Sequence, residues 1–113
     1  MNTIIIKIRK DIKGWTAMGL YPFIFIEEKN INNKTLLNHE MIHLRQQKEL
    51  LVLPFFVLYI LEWFLKSIYY LDFKAMGKGY RNISFEREAY ENEGNLNYLN
   101  NRTKFNWVKR ILK

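Results

Sequence analysis

The sequence predicts an α+β fold: a small N-terminal antiparallel sheet or hairpin followed by three to four helices, within one domain over residues 1–113. Three observations predict it. β-branched and aromatic residues form short runs before residue 30, and apolar residues take helical spacing from residue 33 onward. Glycine, proline and asparagine fall between the runs. A chain of 113 residues supports one core, and a composition 49% hydrophobic and 16% aromatic is ample to fill it.

Thr3 to Ile8 is short and β-branched, as a strand requires. Asp11 to Gly14 reads as a turn. Tyr21 to Ile26 reads as a second strand, with Pro22 near its start. Proline has no ladder donor and favours sheet edges, so this strand is expected at an edge. Asn30 to Asn33 reads as a polar loop. A helix is expected to begin near Asn33 or Thr35, either of which could cap it, with Leu37, Met41 and Leu44 on one side. It runs through Arg45 to Glu49 toward Pro54, which ends it, kinks it or opens the next helix.

Leu50 to Leu61 carries no charge and no strongly polar group; Glu62 interrupts the run before Trp63-Phe64-Leu65 resumes it. A membrane span needs about 20 apolar residues, so a buried core helix is the first expectation. An interfacial or partly inserted hairpin is the rival, since Trp63, Tyr69, Tyr70, Lys66 and Lys74 would suit a membrane interface. Asp72 to Asn82, with Gly77 and Gly79, reads as a loop. Ser84 is expected to cap a helix from Phe85 to about Leu99, ended by Asn100-Asn101. Thr103 would cap a final basic, amphipathic helix to Leu112.

There is no cysteine, which excludes disulfides and thiolate metal sites. The apolar patch Ile4-Ile5-Ile6 precedes its basic residues, the reverse of a secretory signal, so a cytoplasmic location is expected, with membrane association through Leu50–Leu71 as the alternative. The net charge of +7 is spread over Lys7–Lys13, Lys74–Arg81 and Arg102–Lys113. No nucleic-acid motif and no glycine-rich phosphate loop accompanies it, so nucleic acid is not expected as a partner.

His39-Glu40-Met41-Ile42-His43 reads H-E-x-x-H and holds both histidines of the chain. Residues four apart on a helix project from one face, the spacing that lets two imidazoles grip one zinc ion. Glu40 stands beside them as a base for metal-bound water, and the pattern points to a zinc-dependent hydrolase acting on peptides. The bland reading is a chance match on an ordinary helix.

Two histidines leave such a site one ligand short, and without further His or Cys the third must be a carboxylate. Phe85 to Glu93 offers four glutamates. Glu86, Ala89, Tyr90 and Glu93 share one helical face, and Ala89 is small enough to let that face approach another helix closely. Glu86 is therefore the favoured ligand, with Glu93 as the alternate or as a partner behind a ligand. Glu88 and Glu91 point largely away and read as a solvated charged face. Tyr80, Arg81 and Tyr90 are candidate donors for an oxyanion, against packing or surface charge as the plain alternative. The strand near Phe23 to Ile26 could bind an extended peptide by strand addition.

H-E-x-x-H followed by a helix bearing Glu86-x-x-Ala89 resembles the gluzincin clan of zinc metallopeptidases. The apolar interval Leu50–Leu71, with Leu61-Glu62-Trp63-Phe64, is similar to the membrane-associated members, the CAAX-protease-like and penicillin-sensing receptor-like peptidases, and to small bacterial proteins of this minimal type. The resemblance covers roughly Tyr21 to Leu99. It implies a zincin-like fold, one zinc ion on His39, His43 and Glu86, Glu40 as general base, and a peptide or protein substrate. The chain departs from the pattern at Tyr90, where such families carry an Asp or Asn that orients a zinc-bound histidine. Glu93 is the candidate substitute for that acid. The departure and the small size keep a second expectation open: a catalytically weak or inactive zincin-fold module for binding or regulation.

Overall fold

A computed structural model describes residues 3–8 and 16–112. It is an α+β arrangement in which a three-stranded sheet precedes the helices. The strands are β1 (Ile4–Ile8), β2 (Ala17–Leu20) and β3 (Phe23–Glu27), in the order β1-β3-β2. β3 pairs in parallel with β1 and antiparallel with β2, so the sheet is mixed, where an antiparallel one was expected. The expected second strand, Tyr21–Ile26, is the central strand and not an edge. Pro22 sits in the turn before it, where no ladder donor is missed. β2 went unforeseen because Ala-Met-Gly-Leu has no β-branched residue and Gly19 within it. The turn expected at Asp11–Gly14 and most of the basic cluster Lys7–Lys13 lie outside the described residues.

β3 alternates as a half-buried strand should: Ile24 and Ile26 are fully buried and meet Leu44 of helix α1 (Lys34–Leu50). α1 starts where expected. The Asn33 side-chain oxygen accepts the Leu36 N–H at 3.1 Å, satisfying one of the donors a helix start leaves free. Gln47 then ties the helix to the sheet: its amide donates to the Gly19 carbonyl at 2.9 Å and its oxygen accepts the Tyr21 N–H at 2.7 Å. Gly19 makes the contact close: a Cβ there would stand a tight 3.2 Å from the Leu44 side chain and 3.4 Å from the Glu40 carbonyl.

α1 ends at Leu51 in a left-handed conformation, and α2 (Leu53–Tyr70) opens with Pro54 in its first turn, where its missing N–H costs nothing. α2 is not the buried core helix that its composition suggested. One flank packs: Phe55 and the half-buried Phe56, Tyr59 and Trp63 join Ile83, Phe85 and Trp107 in a second core. The other flank is exposed.

Three further corrections concern the C-terminal half. The stretch Asp72–Asn82 contains a short helix, α3 (Lys78–Arg81), held by Asp72, which accepts the Lys78 N–H at 3.1 Å and the Lys74 N–H at 3.2 Å. α4 runs only from Ser84 to Asn92, and Ser84 is its first residue rather than its cap. Its start is capped from a distance: Glu62 accepts both the Ser84 N–H and the Ser84 hydroxyl at 2.6 Å. Its end is set by Asn38 of α1, whose amide donates to the carbonyls of Asn92, Glu93 and Asn95. A one-turn α5 (Tyr98–Asn101) follows, and the expected last helix is a 3-10 turn over Asn106–Arg110. Thr103 accepts from the Asn106 side chain at 2.9 Å instead of capping an α-helix.

Candidate metal centre

α1 and α4 cross where the H-E-x-x-H face meets the Glu86-Ala89 face, and Ala89 is fully buried in that contact. His39, His43 and Glu86 are buried there, each at most 6% exposed. Their donor atoms converge. Glu86 Oε1 lies 3.2 Å from His39 Nε2 and 3.1 Å from His43 Nε2, and the two Nε2 atoms are 3.2 Å apart. Two imidazoles and one carboxylate are the donors a divalent metal takes in a cysteine-free protein. For bonds of about 2.0–2.1 Å in a tetrahedron, ligand atoms stand about 3.3 Å apart, so the three atoms fit one such ion. His39, His43 and Glu86 thus form a triad able to hold a metal.

The far side of each ligand is also held. His43 Nδ1 lies 2.8 Å from Gln46 Oε1. Gln46 has no freedom to turn its amide over: its Nε2 donates to Glu88 Oε1 at 2.9 Å and to the Phe85 carbonyl at 3.1 Å. Both are acceptors only, so Oε1 is left to face His43, and His43 Nδ1 carries the proton while Nε2 faces the triad. His39 Nδ1 lies 3.5 Å from Glu93 Oε1. Glu93 therefore stands behind a histidine, not among the converging donor atoms. The Tyr90 ring packs edge-on against His39 with centroids 4.6 Å apart.

Glu86 Oε2 accepts a 2.5 Å hydrogen bond from Tyr59. Burial alone would raise the Glu86 pKa, but His43 and the hydrogen bonds from His39, His43 and Tyr59 overcome it and hold the carboxylate well below its usual range. Burial works against a charged His43 as well, yet Glu86 raises its pKa to about 9. Glu40 shows the opposite balance: burial pushes its pKa up, and His43, His39 and the Gly19 backbone only partly offset this.

The triad opens into a cavity of about 410 Å³. Its walls come from β2 (Ala17, Met18, Gly19), α2 (Phe56, Tyr59, Ile60) and Tyr80, with Glu40 beside the triad. Tyr80 is thus in the site, its hydroxyl 3.3 Å from that of Tyr90, and burial raises its pKa. Arg81 is not brought in; it is exposed and lines no part of this wall. Among the described residues β2 pairs only with β3, and on its outer side Gly19 is taken up by α1, its carbonyl by Gln47 and its N–H by Glu40. The Thr16 carbonyl accepts the Glu27 N–H at 2.9 Å, and antiparallel alternation then turns the Ala17 N–H and C=O outward, at the cavity.

Glu88 contradicts its reading as a solvated charge. It is fully buried and pairs with Arg102, which also grips Glu49 through two hydrogen bonds of 2.7 and 3.0 Å. Tyr98 adds a bond to Glu88 at 2.6 Å. Burial would raise the Glu88 pKa, but the bonds from Arg102, Tyr98 and Gln46 lower it. Glu91 is nearer to expectation: half exposed, it pairs with Arg110 at 2.9 Å. Sequence reasoning missed Tyr59, Gln46 and Gly19. Gln46 carried a usable signal, a polar residue three positions after His43 on the buried side of α1. Comparisons with protein-family models, curated proteins and solved structures returned no match.

Proposed function

We propose that the chain is a zinc-dependent metallopeptidase of gluzincin type, with a zincin-like fold. One observation carries the reading: three buried donor atoms converge at 3.1–3.2 Å, with Glu40 beside them, on the floor of an open cavity. The resemblance of His39-Glu40-x-x-His43 and Glu86-x-x-Ala89 to that clan supports it. Zinc held by His39, His43 and Glu86 would acidify a bound water and polarise a carbonyl.

The protein's own groups have matching roles. A peptide in extended form pairs its main chain with the outward Ala17 groups of β2, the edge that replaces Phe23–Ile26 as the strand-addition site. Glu40 takes the proton of the attacking water and delivers it to the leaving amine; its raised pKa suits both halves of that exchange. Tyr80 keeps its phenolic proton and can donate to the developing oxyanion. Glu93 takes the place of the acid that Tyr90 replaces, on the ring nitrogen of His39 that faces away from Glu86.

The alternative is a weak or inactive binding or regulatory module that keeps the metal, favoured by Tyr90, which packs edge-on against His39 at the sequence position where the peptidases the chain resembles carry an acid. One experiment separates the two. Zinc content is measured by elemental analysis, and hydrolysis of a peptide library by mass spectrometry. About one zinc per chain, lost in Glu86→Ala, is expected. Hydrolysis should fall by about 10²–10⁴-fold in Glu40→Gln with zinc retained. Zinc binding without hydrolysis in the parent protein selects the module; no zinc under metal-replete conditions rejects both.

A further inference from the structure

α2 is built inside out for a helix at a water surface. Every exposed residue between Leu53 and Tyr70 is apolar or tyrosine. Val57 is 58% exposed, Ile60 63% and Leu61 51%. The helix has two charged residues, Glu62 and Lys66, and both turn inward. They pair with each other at 2.7 Å, Glu62 holds the start of α4, and Lys66 donates to the Asn82 carbonyl. The outcome is an apolar ridge about 27 Å long. Soluble domains rarely leave so continuous an apolar face to water.

The borders of the ridge are basic. On one side α3 packs so tightly that a Cβ on Gly79 would lie 2.3 Å from Ser67 Oγ, and α3 carries the exposed Lys78 and Arg81. On the other side Ile111 and Leu112 share a cleft with Leu65 and Tyr69, and the exposed Lys109 precedes them. Asp72, the carboxylate at this end, is occupied with the N–H groups of Lys74 and Lys78.

We propose that this face docks on an anionic lipid bilayer, with α2 lying in the interface plane. An apolar ridge between basic borders, on a chain of net charge +7, matches acyl chains flanked by anionic headgroups. A second copy on the same face would set Lys78, Arg81 and Lys109 against their own counterparts, in a chain of net charge +7. Spanning is disfavoured because one flank of α2 is committed to the protein core and carries a partly buried ion pair. Ile60 belongs both to the ridge and to the wall of the metal-site cavity. A docked molecule therefore opens that cavity at the bilayer surface. If the metallopeptidase reading holds, on which this last step rests, the substrate is a chain segment next to the membrane.

Co-sedimentation of the full chain with phosphatidylcholine vesicles, with and without phosphatidylglycerol, tests the docking. Binding to the anionic vesicles that weakens with salt is expected, with roughly a fivefold loss for each of Lys78→Gln and Arg81→Gln. The triple variant Val57→Ser/Leu61→Ser/Phe64→Ser should lose binding while keeping its helicity by circular dichroism, since all three side chains are exposed. Glu86→Ala should bind vesicles like the parent, which keeps failure of docking distinct from failure of the metal site. Absence of binding to anionic vesicles overturns the proposal. So does a dimer, seen by light scattering, that the triple variant dissolves.

Discussion

Replacing Arg102 with methionine asks how much one buried cation holds up. The Arg102 side chain is 1% exposed and its one positive charge is shared between two carboxylates, Glu49 at 8% and Glu88 at 0% side-chain exposure. Methionine keeps the apolar stem and removes every one of those contacts. Tyr98 and Gln46 remain on Glu88 and the Phe105 N–H remains on Glu49, but no positive charge does. Breaking a buried pair from one side costs about 3–5 kcal/mol, because a charge is left without its partner. A domain of this size is stable by about 5–15 kcal/mol, so Arg102→Met should remove about a fifth of the total or more. Urea unfolding followed by circular dichroism measures it.

The pH dependence supplies the sign. In the parent the Glu88 pKa is lowered, so its contribution is present above the unfolded value of about 4.3 and is lost as pH falls through the folded pKa. In Arg102→Met burial acts unopposed by Arg102 and favours the protonated acid, so the penalty shrinks as pH falls toward 4. The two unfolding curves should converge in acid. The triple replacement Glu49→Leu/Glu88→Leu/Arg102→Met should recover part of the loss, since no charge is left unpaired although Tyr98, Gln46 and the Phe105 N–H lose an acceptor. A cost below about 1 kcal/mol at pH 7, typical of a surface ion pair, would refute the reasoning.

Two further outcomes follow from the triad. Gln46→Leu removes the acceptor facing His43 Nδ1 and should weaken zinc binding by about 10–100-fold in a chelator competition, with little change in helicity; an unchanged affinity would remove Gln46 from the positioning role. Because Glu86 raises the His43 pKa to about 9, the imidazole holds a proton at pH 7 that a metal must displace. Zinc affinity should therefore rise with pH up to about 9, with close to one proton released per ion at pH 7 in calorimetry across buffers of different ionisation enthalpy; release near zero would contradict the shift.

The legible parts of this protein are those written in short-range spacing. His39 and His43 are four apart and Glu86 and Ala89 three apart, so helical spacing put two candidate ligands on one face and singled out a third, while the cap was narrowed to Asn33 or Thr35 and the structure selects Asn33. Exclusion of cysteine left a carboxylate as the third donor. Illegible parts depend on partners far along the chain. Glu88 and Glu91 sit in one charge run, yet Arg102 and Gln46 bury the first and leave the second half exposed. The helix expected to reach Leu99 stops at Asn92, where Asn38, more than fifty residues upstream, takes its last carbonyls.

By itself the sequence determined the α+β class, the motif helix with two candidate ligands and the favoured third on a later helix, because period, capping and ligand chemistry are properties of neighbouring residues. Only the tertiary structure decided the strand order, the outward turn of Ala17 in β2, the hydrogen bond from Tyr59 to Glu86 and the outward face of α2. An apolar run has the same composition whether its ridge faces protein, lipid or water. Which side it turns out is set by where Glu62 and Lys66 find partners, and those lie at Asn82 and Ser84, on another part of the chain.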